Sequence, residues 1–225
     1  METKPDKEAE TKEKPSEINV FIKRGFFDNT KRQLIIHPDF VQFEDKGLEK
    51  DSFTRINKDE IAEFRFGINW ISGFEFTVGR EYLIFIRSIK GEIIKVSFKC
   101  FYRIKKQKFQ QLYGDIVNAV WDFYFVDIID DYVKRFNDGE DFELATATIS
   151  QEGITIMARG IFKSQRKMIA WDKIGIRDYH SYIAVFSEDD KANINQAFYY
   201  LKDWNSCVLN AVLLNILQQK KLIKQ

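Results

Sequence analysis

The apolar positions of this chain follow two periods, and the change from one to the other happens twice. Ile18, Val20 and Ile22 alternate with outward positions, which predicts a first strand. Leu34–His37 and Phe40–Phe43 flank Pro38-Asp39, where proline presets a turn and cannot extend a ladder, so a hairpin is expected. Another strand follows at Phe53–Ile56. Glu63–Ile71, Gly73–Val78, Tyr82–Arg87 and Ile93–Phe98 then read as a meander of short strands. From there the period lengthens. Phe109, Leu112, Tyr113, Ile116, Val117 and Val120 fall on one face of an amphipathic helix. The same spacing runs on through Tyr124, Ile128, Tyr132 and Phe136 and stops at Asn137-Asp138-Gly139, a helix-end signal.

The second half repeats this order. Leu144–Ile149 and Ile154–Met157 flank a turn at Gln151-Glu152-Gly153. Strands at Lys167–Trp171, Tyr179–Phe186 and Ile194–Phe198 follow, with an acidic turn at Glu188-Asp189-Asp190. Leu201, Trp204, Val208, Leu209 and Val212 predict a closing helix.

The two halves also match in identity. Ile36–Ile61 lies on Ile149–Ile174 without a gap, 113 positions apart, with identities at Ile36/Ile149, Gly47/Gly160, Lys50/Lys163, Ile56/Ile169, Asp59/Asp172 and Ile61/Ile174. Asn118-Ala119-Val120 matches Asn210-Ala211-Val212, now only 92 positions apart, so 21 positions are lost from the strands between the two matched blocks. A repeated unit implies that each copy has its own apolar face to bury.

Strands in a meander closed by one amphipathic helix resemble the pleckstrin-homology-like superfold, over roughly Ile18–Trp121 and Phe142–Leu217. The resemblance implies an α+β protein of two tandem units, each a bent antiparallel sheet or barrel closed by a C-terminal helix. The expected division is a disordered tail at 1–17, a first unit at 18–121, a helical connector at 122–141 and a second unit at 142–225. Members of that family that bind phosphoinositides use a basic cluster between their first two strands. Lys23, Arg24, Lys31 and Arg32 stand near that place without the family's spacing, and the second half has only Gln151-Glu152-Gly153 there.

Composition narrows the classes. The 225 residues are 44% hydrophobic and 15% aromatic, enough for a substantial core, and a net charge of +1 gives no field to recruit nucleic acid or an anionic membrane. Met1–Glu17 carries six acids, four lysines and almost nothing apolar, which predicts disorder and is no secretory signal. The apolar runs Ile116–Ile129 and Cys207–Leu217 are too polar or too short to span a bilayer. Cys100 and Cys207 lack metal-type spacing, so two free thiols in a reducing, cytoplasmic compartment are expected.

Candidate chemistry is sparse. Lys99, Arg103, Lys105, Lys106 and Lys108 surround the start of the first helix with no acid among them, and Phe101, Tyr102 and Phe109 interleave aromatics. That mixture suits an anionic partner, and helix N-termini attract anions. A solvated turn is the commoner role of such a block. Asp127 and Asp131 lie one helical turn apart and could share a divalent ion, against the commoner role of a solvated acidic face. His37 and His180 have no ligand spacing, and no phosphate-binding glycine loop or nucleophile motif occurs. No catalytic residue, cofactor or metal is therefore expected. The expected function is a non-catalytic intracellular interaction or scaffold protein with a protein partner. Peripheral binding to anionic lipid is the alternative, and an enzyme without a recognisable motif the third.

Overall fold

A computed structural model describes residues 17–23, 30–44, 53–73, 76–102, 105–159 and 164–222. Residues 1–16 of the tail predicted at 1–17, the linkers carrying Gly47 and Gly160, and Arg103 lie outside the described residues. The fold is mixed α+β, with four antiparallel sheets and two helical segments.

In the first half β1 (Ile18–Lys23), β2 (Lys31–His37), β3 (Phe40–Phe43) and β4 (Thr54–Asn57) form one sheet in that order. A 3-10 turn at Lys58–Glu60 leads to a second sheet of β5 (Ile61–Gly73), β6 (Phe76–Ser88) and β7 (Ile93–Phe101). Helix α1 (Lys106–Val120) passes through a single π-helical turn at Trp121–Phe125 into α2 (Val126–Asn137), so the connecting helix is continuous with the first. In the second half β8 (Phe142–Leu144), β9 (Ala147–Ile149), β10 (Gly153–Arg159) and β11 (Ser164–Ala170) form a sheet. A 3-10 turn at Trp171–Lys173 precedes the sheet of β12 (Ile174–Tyr179), β13 (Tyr182–Ser187) and β14 (Asn195–Tyr199), and α3 (Ser206–Gln219) closes the order.

The residues that match between the halves occupy matching places. Ile36, Val41 and Ile56 pair across β2, β3 and β4, and Ile149, Ile154 and Ile169 pair across β9, β10 and β11 in the same register. All six are buried. Burying such side chains stabilises by about 1.5–3 kcal/mol each, which fixes the register because a one-residue slip would turn every one of them outward. Superposing the two Asn-Ala-Val triplets sets buried Ile116, Val120, Tyr124 and Phe125 on buried Val208, Val212, Ile216 and Leu217. The buried side chains of both halves run together into one cluster, and α2 packs on α3.

Several sequence-based boundaries are corrected. Among the described residues no sheet closes into a barrel: each half holds a four-stranded and a three-stranded sheet that meet at the 3-10 turn. Leu144–Ile149 is two strands, because Ala145 and Thr146 both take left-handed backbone (φ 49° and 71°) and reverse the chain. Gly73–Val78 and Tyr82–Arg87 belong largely to one strand, β6. Its Gly79 is no turn residue; a Cβ there would meet the Cys100 carbonyl oxygen at 2.7 Å, so glycine lets β6 and β7 pair closely. Tyr179–Phe186 is split by a turn at His180-Ser181.

Leu201 and Trp204 precede α3 and do not plug its core. Asn205, in left-handed conformation (φ 58°), starts the helix, and the segment before it docks on the free edge of β5. The Phe64 N–H donates to Asn205 Oδ1 at 2.9 Å, and the Asn205 N–H donates to the Phe64 carbonyl at 2.7 Å. Asn205 Nδ2 donates to the Ala62 carbonyl, and the Phe66 N–H donates to the Tyr200 carbonyl. Trp204 lies half-buried with the Arg65 and Arg87 guanidinium carbons each 4.4 Å from its ring centre.

Candidate functional site

Along the second sheet, cross-strand rows step outward from the core. Phe64–Ile86–Ile94, Phe66–Ile84–Val96 and Ile68–Tyr82–Phe98 are followed by Trp70–Arg80–Cys100. Alternate residues of a strand share a face, so these four rows line one side of the sheet. Tyr82 and Phe98 in the third row are covered by Tyr113 and Phe109 of α1. In the fourth row Cys100 is still buried, Arg80 is half-buried and Trp70 is exposed.

Trp70 remains 47% exposed, with the Arg80 guanidinium 4.1 Å from its ring centre. Tyr102, 72% exposed, and the first helical residue Lys106 complete a pocket of about 130 Å³ with Trp70, Thr77, Arg80 and Cys100. Phe76, at the adjoining end of β6, is 64% exposed. Exposed aromatics beside cations are the composition of binding surfaces.

The predicted basic residues divide around this pocket. Lys106 lines it and is half-buried, while Lys105 and Lys108 stand exposed on either side. Lys105 takes left-handed backbone (φ 56°) and gives no side-chain cap, and no acid stands in the first turn of α1. Lys99 reaches Glu81 at 3.6 Å on the β6–β7 ladder and is partly compensated. Arg103 lies outside the described residues. Sequence reasoning missed Arg80, because only the Trp70–Arg80–Cys100 register brings it to Lys106, 26 positions away.

The remaining candidates lie elsewhere in the fold. Asp127 pairs with Lys58 at 2.6 Å along an open groove that also holds Asp39, Asp59, Asp131 and Arg135. Among the described residues no group of three or more His, Cys, Asp or Glu could hold a metal ion. His37 accepts the Asp39 N–H at its Nδ1 and stacks on Phe40, and His180 stands exposed in the β12–β13 turn. Cys100 and Cys207 are both buried, and burial pushes the Cys207 thiol up to about 12. A thiol so held is not poised as a nucleophile.

No helix among the described residues is long and apolar enough to cross a membrane. No family model, curated protein or solved structure matches this chain.

Proposed function

We propose that this chain is a non-catalytic intracellular interaction protein built from two pleckstrin-homology-like units in tandem, 18–121 and 142–225, joined by the helical connector 122–141. The order of four strands, 3-10 turn, three strands and helix in each half supports that reading, as does the shared register of the matched isoleucines. Its protein partner docks at the outer end of the second sheet, on Trp70, Phe76, Arg80, Tyr102, Lys105 and Lys106.

One observation carries this: the helix-facing side of the β5–β7 sheet ends at exposed Trp70 and half-buried Arg80, beside exposed Tyr102 and half-buried Lys106. Leaving Trp70 and Tyr102 in water forgoes burial worth about 1.5–3 kcal/mol for a large apolar side chain, which a partner can recover.

The test compares proteins retained from cell extract by the wild type and by the Trp70→Ala/Tyr102→Ala double variant at moderate salt, alongside binding to vesicles containing phosphatidylserine. A protein held by the wild type and lost from the double variant is the expected result. Anionic lipid would replace the protein partner if the wild type bound acidic vesicles in a salt-sensitive way and Lys105→Glu/Lys106→Glu/Lys108→Glu abolished that binding. Each Lys near such a surface contributes about 1 kcal/mol.

A further inference from the structure

Resting on that docking surface, we infer that the pocket beside the start of α1 is a subsite for one carboxylate, and that the segment it recognises is an acidic peptide of a protein partner with an apolar residue next to the acid. Two independent features converge on the same small space.

The first is charge. Arg80 and Lys106 are the charged residues lining the pocket, and among the described residues neither has a carboxylate partner. The uncapped first turn of α1 adds backbone N–H groups and the positive end of its dipole.

The second is size. At about 130 Å³ the pocket holds roughly four waters at ~30 Å³ each, well below the ~300–1,000 Å³ of ordinary small-molecule sites. It suits the end of one side chain. Planar carboxylates match the donor fork of a guanidinium, and Arg80 resting on the Trp70 ring is held ready to make that pair. The exposed rings of Trp70 and Tyr102 stand where a neighbouring apolar residue would lie.

The experiment is a titration of the full chain, followed by backbone amide NMR, with acetylated and amidated Gly-Glu-Leu-Gly and with its Gly-Gln-Leu-Gly counterpart. The expected result is saturable shifts at Thr77, Arg80, Tyr102 and Lys106 with the Glu peptide, and binding weaker by about tenfold with the Gln peptide or in Lys106→Gln. Equal shifts with both peptides, no shifts up to millimolar peptide, or saturation of the same amides by inorganic phosphate in preference to the Glu peptide would each overturn the carboxylate subsite. If a protein partner is still lost from the Trp70→Ala/Tyr102→Ala variant while the peptides fail, the subsite falls and the docking surface stands. If that variant retains every partner while the Glu peptide binds, the docking surface falls instead.

Discussion

The two halves of the molecule share their core and differ at their rims. Strands β2–β4 and β9–β11 carry the same cross-strand row of buried residues, down to the register. The three-stranded sheets do not correspond so well. β5 and β6 are 13 residues each, whereas β12 and β13 are six. With the Asn-Ala-Val triplets superposed, α1 also begins eight residues earlier than α3. These extra rungs and turns supply Trp70, Arg80, Tyr102 and Lys106, so the candidate site is built from what the second half lacks. Packing constrains the shared part; the added part projects beyond the core and is free to carry a surface.

The helix starts make the same contrast locally. Lys105 and Asn205 have nearly identical left-handed backbone, at φ 56° and 58°. Lys105 faces water and leaves the first turn of α1 open. Asn205 is buried, and its amide closes on β5 of the other half.

The largest expected effect tests the shared core. Ile56→Ala and Ile169→Ala remove equivalent side chains from equivalent rows, and each should lower stability by about 2–5 kcal/mol. Denaturant unfolding curves check this. A cost near zero for one of them would show that the two rows are not equivalent.

Next in size is the difference between the helix starts. Asn205→Ala leaves the buried Phe64 N–H unpaired and puts a residue poorly suited to it in left-handed backbone, for a loss of about 2–4 kcal/mol. Lys105→Ala, at the same backbone conformation but exposed, should cost no more than about 1–2 kcal/mol. Equal unfolding midpoints for the two variants would mean that the Asn205 bonds to β5 do not hold the halves together.

Within any one pH unit, the smallest effect is alkaline. Tyr124 donates to the His37 and Phe40 carbonyls, and burial raises its pKa well above the ordinary value of about 10. Burial likewise lifts Cys207 from about 8.5 to about 12. Both groups keep their protons in the fold after the unfolded chain has lost them. Stability therefore falls as pH rises above about 8.5 for Cys207 and about 10 for Tyr124, by up to about 1.4 kcal/mol per pH unit for each. Unfolding midpoints between pH 7 and 11 measure the slope, which Cys207→Ala should flatten in the lower part of that range. A midpoint independent of pH would contradict the burial of both groups.

What the sequence determined by itself was the element order and the matched apolar rows of the two halves. Alternating isoleucines and phenylalanines specify strands because a pleated backbone sends successive side chains to opposite faces, and the 3.6-residue spacing from Phe109 to Phe136 specifies a helix for the same geometric reason. The basic residues flanking the helix start were legible too, since Lys105, Lys106 and Lys108 are close neighbours in the chain. Tertiary structure alone decided which of them lines the pocket. Lys106 meets Arg80 and Trp70 there only through the pairing of β5, β6 and β7, between residues too far apart for any local pattern to record. Trp204 went the same way: its spacing fits a helix face, but the helix begins only after the left-handed Asn205, and the ring lies against Arg65 and Arg87 of the other half. Local periodicity records which side of an element is apolar; what that side meets depends on long-range pairing, which a single sequence does not encode position by position.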